Sequence, residues 1–419
     1  MQIYTNPWHV PVNMSTISVN QFSRVRAGDP TAFAQFCFLL LLLPISPIIA
    51  LLLSVLFFIG HPSRRMAVYS SLIIGLSMAA MSYFIEYYYY VDMQRWMNEC
   101  SYYLGKPLGS IFSSLNPDHE DLLLWNLWCW IVGNTGDFAL LQASAAFIGY
   151  SLLIWPFFDL YARRRLKIKA FLYVLLLASM MVPMQGIVGN VRSTIGCIVI
   201  GFSIYLRTLG GKLYIVSYVL AFLTIFLHSS MLLAFVLMIV QPFVQKKAWS
   251  ASLFIFISVA AIAVLSNVIL ATGIIGDGIL RKVLETASIY AEGTEFDQQY
   301  VTSFYSRIVA IINALFYILL TYKICKTKQV NSEYTTSIAA YAGLDLTMVN
   351  VGSRIKYIPL LVGLQTMLGA AFEDDGDALT DLMLFVLAAS QALLSFYSFL
   401  VTFNFDRVLL SGLFWIGSF

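Results

Sequence analysis

The sequence predicts an all-α fold, a polytopic transmembrane helical bundle of about 11–13 crossings with a short re-entrant or interfacial helix on its outer face. Two observations carry this reading. First, 59% of the 419 residues are hydrophobic and only 11% are Asp, Glu, Lys or Arg, against about 25% charged residues in a soluble globular chain. That leaves too little polar material to coat a core of this size, so lipid must solvate most of the surface. Second, the apolar residues come in continuous runs, several of them near the ~20 residues a crossing helix needs, and not in the alternation of a barrel strand. The same composition excludes a soluble enzyme and a disordered chain, and a net charge of only +3 excludes a nucleic-acid binder.

Residues 1–31 form a polar N-terminal tail containing Pro7, Trp8, Pro11 and Pro30, too polar to be the apolar core of a cleavable signal peptide. Residues 32–419 read as one integral-membrane domain. Continuous apolar runs occupy 33–59, 67–91, 137–160, 249–271, 302–322 and 379–402. The stretches 169–189, 191–206, 213–228, 229–242, 336–351, 353–372 and 405–419 are shorter or join through single polar residues. Basic residues cluster between them: Arg64-Arg65, then Arg163 to Lys169, Arg207 with Lys212, Lys246-Lys247, and Lys323, Lys326 and Lys328. One topology puts all five clusters on the cytoplasmic side, as the positive-inside rule favours. It makes 92–136, 272–301 and the turns near 190 and 228 outer loops.

Two outer segments are distinctive. Over 92–104 the spacing predicts an amphipathic helix in the membrane plane. Asp92, Arg95, Trp96, Glu99, Tyr102 and Tyr103 share one face, their carboxylates turned to water or substrate, and Met93, Met97, Cys100 and Leu104 form the apolar face. Residues 116–133, capped by Asn116, Pro117 and Asp118, are apolar for only ~12 residues, too few to span. Trp125, Trp128 and Trp130 there are interface anchors or platforms for sugar rings. The five cysteines are scattered and the four histidines share no helix face, so neither a metal site nor another cofactor is expected.

The informative side chains are polar ones inside apolar sequence. An arginine at the centre of an inserted helix costs roughly 2.5–3.5 kcal/mol, so it faces a cavity or a partner. Arg192, flanked by Gly186, Gly189 and Gly196, either snorkels to the outer interface or lines an outward cavity. His228 ends an apolar stretch and returns to the same outer face two crossings later; it is a structural residue or a functional one. Arg354, with Tyr357 at i+3 and Asp345 upstream, is half of an internal ion pair or a second anion-binding arginine. Arg307 stands in a similar position, just inside another helix.

Taken in order, Asp92 after a Tyr-rich helix end, His119-Glu120, Asn190-x-Arg192, Lys212, His228-Ser229-Ser230 and Arg354-x-x-Tyr357 resemble the Wzy-like polysaccharide polymerases of the EpsG type. That family serves bacterial O-antigen, capsule and exopolysaccharide synthesis. Here Trp96 stands where the family's Asp-x-x-x-Tyr has its tyrosine, and Glu120-Asp121 replaces Glu-Pro. The resemblance spans roughly 33–400 and implies a multi-pass protein of the bacterial cytoplasmic (inner) membrane. The implied reaction transfers a growing glycan from undecaprenyl pyrophosphate onto a second lipid-linked repeat unit at the outer face. It implies Arg192, Arg354 and Arg307 as pyrophosphate-binding residues, His228 or Asp92 as the catalytic base, and Glu99, Tyr103, Glu120, Asn190 and Tyr357 as sugar-binding residues. Implied partners are the lipid-linked donor and acceptor, membrane lipid, and a chain-length regulator and flippase of the same pathway. A lipid-linked oligosaccharide flippase and an O-antigen ligase-like transferase are the alternatives.

Overall fold

The computed structural model describes residues 30–85, 91–164, 167–208, 213–244, 357–368, 378–402 and 405–414, with isolated positions between 269 and 322. Among the described residues every regular element is helical. Two helices among the described residues are long and apolar enough to cross a membrane, Arg64–Tyr83 and Ala139–Arg163, and several shorter apolar helices accompany them.

We number the α-helices in chain order. Pro30–Leu42 is α1, Pro47–Gly60 α2 and Arg64–Tyr83 α3. The apolar run expected at 33–59 is therefore not one helix. Leu39, Ala50 and Ile73 form a small buried cluster, which places α1 back against α2 and α3. The break follows from Pro44 and from Pro47 in the first turn of α2, whose missing N–H is tolerated there but not within a helix. In the same way the run 169–189 divides into α7 (Ile168–Met181) and the short α8 (Met184–Gly189) at Pro183.

The longest packed pair is α3 with α6 (Ala139–Arg164). They run antiparallel: Tyr83 donates to Asp137 Oδ2 at one end (2.6 Å), and Arg64 Nε meets Asp159 Oδ1 at the other (3.2 Å). Their axes approach closely at Gly75, where a Cβ would strike the Ser151 hydroxyl and stand 2.8 Å from the Phe147 carbonyl oxygen. We call the Tyr83–Asp137 end the cap end and the Arg64–Asp159 end the basic end.

The core is organised around α9 (Val191–Thr208), which is buried on every side from Val191 to Arg207 except at Val199. A helix apolar all round must be enclosed by others. Here the neighbours are α6, α8, α10 (Tyr214–Leu223), α11 (Met231–Val244) and α12 (Tyr357–Thr366). Gly196 and Gly201 receive Met231 and Leu361 respectively. The remaining helices are α13 (Ala378–Thr402), lying on α7, and α14 (Phe405–Leu413), lying on α2 and α3.

At the cap end, α4 (Val91–Tyr102) packs on α5 (Leu123–Thr135), with single 3-10 turns at Leu108–Phe112 and Pro117–His119 between them. The short α5 agrees with a segment unable to span. Its N-cap is Leu122 and not the Asn116–Asp118 group. The buried side of α4 differs from the expected one. Met93, Trp96, Glu99, Cys100 and Tyr103 are buried, while Gln94, Arg95 and Asn98 are exposed. Glu99 thus faces inward and not toward water, because its oxygens and the Trp96 ring find partners on α5 and in the loop that precedes it.

Gly133 is what lets α5 meet α4, since a Cβ there would collide with the Cys100 carbonyl. Gly133→Ala should separate the two helices at a cost of about 1–3 kcal/mol, as overpacking usually does. Thermal unfolding in detergent, followed by intrinsic tryptophan fluorescence, should show a lower transition temperature than the parent protein.

Candidate functional site

The cap end gathers charge and aromatic surface over the start of α9. Glu99, on α4, is the hub. Its Oε2 accepts the Trp125 indole N–H at 2.8 Å, and its Oε1 lies 2.9 Å from His119 Nδ1. The carboxylate is only 2% exposed. Burial alone would raise its pKa, but the hydrogen bonds from His119 and Trp125, with the Arg192 charge nearby, outweigh that and hold it below the ordinary 4.5. His119 is in turn positioned by its neighbours. Asn116 Nδ2 stands 3.4 Å from His119 Nε2, and Asn126 Nδ2 binds the carbonyls of Ile111 (3.1 Å) and His119 (3.0 Å).

Arg192 lies beneath this group. Its guanidinium carbon is 4.1 Å from the centre of the Trp96 ring and 5.4 Å from that of Trp125. Arg95 approaches Trp96 as well, at 4.2 Å, and Trp125 meets Trp96 edge-on at 5.5 Å. Arg192 is 7% exposed, which excludes the snorkelling arrangement, since that needs the guanidinium in water. As the second residue of α9 it sits at the positive end of the helix dipole. Such placement costs about 0.3–1 kcal/mol. Cation–π contacts return about 0.5–2 kcal/mol each when partly desolvated, and Glu99 adds an opposite charge. The cation is therefore stable there, and the positive field of the helix end adds to its own. Chemically, an arginine fork reinforced by backbone N–H groups suits phosphate oxygens.

The other sequence-predicted residues divide. Tyr103 is buried and donates to the Ser113 carbonyl at 2.8 Å, so its hydroxyl fastens the loop. Glu120 is exposed, and it is the preceding His119 that enters the cluster. Asn190 is exposed between α8 and α9, its carbonyl accepting the Thr194 N–H at 3.0 Å. His228 is buried just before α11, and its Nδ1 lies 2.8 Å from the Ser230 hydroxyl and accepts the Ser230 N–H at 3.2 Å. Tyr357 opens α12 and brings its hydroxyl onto Gly186 of α8, one turn before Asn190. Asp92 falls in the first turn of α4, but its side chain is outside the described residues, as are Arg307 and Arg354.

Sequence reasoning passed over His119, Trp96 and Trp125 as partners of Glu99 and Arg192. Trp125 is fully buried, hence neither an interface anchor nor an exposed platform. Half-buried Trp128 and Trp130 donate to Ser144 (2.8 Å) and to the Lys106 carbonyl (2.9 Å). The available signal was the i, i+3, i+7, i+10 stripe of Met93, Trp96, Cys100 and Tyr103, which competes with the polar stripe for the buried side.

A second polar cluster occupies the basic end. Asp159 takes Arg64, Arg163 (2.7 Å) and the Tyr205 hydroxyl. Nearby on α9, Arg207 donates to the Met238 carbonyl (2.7 Å) and Tyr218 (3.2 Å). Among the described residues no group of three or more His, Cys, Asp or Glu is placed to hold a metal ion. No protein-family model, curated protein or solved structure matches this chain.

Because the folded-state pKa of Glu99 is depressed, its contribution to stability is whole above pH 4.5 and is lost as pH falls through the lower folded value. Thermal stability in detergent should therefore decline on acidification below that point. The decline should be shallower in Glu99→Gln, which also starts from a lower stability at neutral pH because His119 and Trp125 lose a charged acceptor.

Proposed function

We propose that the chain is a multi-pass protein of the bacterial inner membrane that polymerises lipid-linked oligosaccharide repeat units, with the cap end facing outward. The observation that carries this reading is Arg192, a buried guanidinium at the N-terminus of the central helix under an aromatic and carboxylate cover. Two features support the membrane placement. The exposed sides of α1, α2, α10 and α13 carry Phe33, Leu41, Leu56, Ile215, Leu379 and Leu393, an apolar exterior that lipid would solvate. Arg64 and Arg163 stand at the opposite end from Arg192, as the positive-inside rule expects of a cytoplasmic face.

In this reading the acceptor sugar hydroxyl attacks the anomeric carbon of the donor glycan while the bond to the polyprenyl pyrophosphate breaks. Negative charge grows on the departing pyrophosphate, and Arg192 with the N-terminus of α9 stabilises it. Arg354, and after it Arg307, would supply further cationic contacts. The hydroxyl proton passes to a base, assigned to His228 or Asp92. Because Nδ1 accepts the Ser230 N–H, the neutral ring carries its hydrogen on Nε2, and as the base His228 would take the proton on Nδ1 and release the Ser230 N–H. Glu99 spends both oxygens on Trp125 and His119, so it serves as a positioning residue for the aromatic wall and not as a sugar ligand. Asn190, Tyr357 and Glu120 are left as sugar contacts.

Arg192→Ala should abolish long glycan chains while a single repeat unit still reaches the surface, read as the ladder on a gel from a complemented deletion strain. Full-length chains would overturn the assignment, and loss of even the single repeat would favour a flippase. His228→Gln should leave the amount of protein in the membrane unchanged and shorten the ladder; normal ladders would make His228 a helix-end residue only.

A further inference from the structure

We propose that Cys100 and Cys129 are joined as a disulfide in the mature protein, stapling α4 to α5 at the outer face. Both cysteines are 0% exposed, and they lie on the two helices that meet at Gly133. Both are free thiols in the structure, and the Cys100 thiol is an immediate electrostatic neighbour of Cys129. Gly133 lies one turn beyond Cys129 on the same side of α5 and touches the Cys100 backbone, which brings the two chains closer than side-chain packing would. Cys37 lies on α1 and Cys197 within α9, away from this pair.

Compartment decides whether such a pair oxidises. Disulfides persist outside the cytoplasm and are rare within it, and the pair belongs to the end opposite Arg64 and Arg163. The oxidant is a protein dithiol carrier in its disulfide form. One cysteine thiolate attacks the carrier disulfide to give a mixed disulfide, and the second then displaces the carrier. Two thiols lose two protons and two electrons, and the carrier leaves as a dithiol. Burial, reinforced by the neighbouring Cys100 thiol, pushes the Cys129 thiol well above its ordinary range, which makes it a poor nucleophile, and neither sulfur is exposed to a carrier in the folded protein. The exchange therefore takes place before α4 closes on α5, and the finished bond is shielded from reductants.

The staple has a consequence for the cap. Cys100 follows Glu99, and Cys129 lies one turn from Trp125, so the bridge brackets the Glu99–Trp125 hydrogen bond. It fixes the ring wall on which Arg192 rests. The proposal depends on the outward orientation of the cap end and not on any glycan chemistry.

The test traps thiols with acid in membranes holding the full-length protein. Iodoacetamide is then added in denaturant without reductant, and after reduction a second alkylating reagent is added. Peptide mass spectrometry should find Cys100 and Cys129 almost wholly in the second label and Cys37 and Cys197 in the first. Cys129→Ala should move Cys100 to the first label. In detergent, reductant should lower the transition temperature of the parent protein by several degrees and leave a Cys100→Ala, Cys129→Ala double variant unmoved. Cys100 and Cys129 carrying the first label as fully as Cys37 and Cys197 would overturn the proposal. So would an equal effect of reductant on both proteins. Neither readout involves glycan, so the gel ladder of Arg192→Ala stands or falls separately.

Discussion

A guanidinium buried at the positive end of a helix is the constraint on which the cap end depends. Removing an ion from water costs several kcal/mol even after relaxation, and it persists only where partners and polarisable surface replace the lost hydration. Arg192 obtains this from the faces of Trp96 and Trp125 and from the charge of Glu99. Those rings stay in place because Glu99 holds the Trp125 N–H, and Glu99 is itself held by His119. His119 depends on Asn116 and Asn126, which tie down the loop between α4 and α5. The chain of dependence thus runs from one cation through two helices and a loop.

The central helix carries a cation at each end, and the two are handled differently. Arg207 sits in the last turn of α9, where a positive charge complements the dipole, and it is satisfied by the Met238 carbonyl and the Tyr218 hydroxyl. Arg192 sits ~22 Å away along the axis at 1.5 Å per residue, against the dipole. A cation placed where the backbone opposes it concentrates positive potential, and this is the electrostatic basis for reading the cap end, not the basic end, as the anion site. Asp159 supports the contrast. At the basic end a buried carboxylate takes two arginines and a tyrosine, so those cations are engaged by a partner within the protein.

Much of the helical framework was legible before any coordinates. Continuous apolar runs become α3 and α6, and the short apolar stretch after residue 116 becomes a helix of 13 residues. Misreadings came at prolines. The runs at 33–59 and 169–189 look continuous by hydropathy, but Pro44, Pro47 and Pro183 remove backbone donors, and the helices end there. The face of α4 was misread for a different reason. Two stripes of that helix are each plausible as the buried one, and burial went to the stripe whose polar atoms had partners waiting on α5.

By itself the sequence determined the helical class, the approximate extents of α6, α9, α11 and α13 and the conspicuousness of Arg192, because hydrophobic runs and rare charges are properties of local composition. The tertiary structure alone decided what those charges meet. Glu99, His119, Trp125 and Arg192 are separated by up to 93 residues in the chain, and Cys100 stands far from Cys129 until α4 closes on α5. Spacing along a chain constrains which residues share one helix face. It does not constrain which faces of different helices are brought together, since that is settled by packing at contacts such as Gly133 against Cys100 and Gly186 against Tyr357.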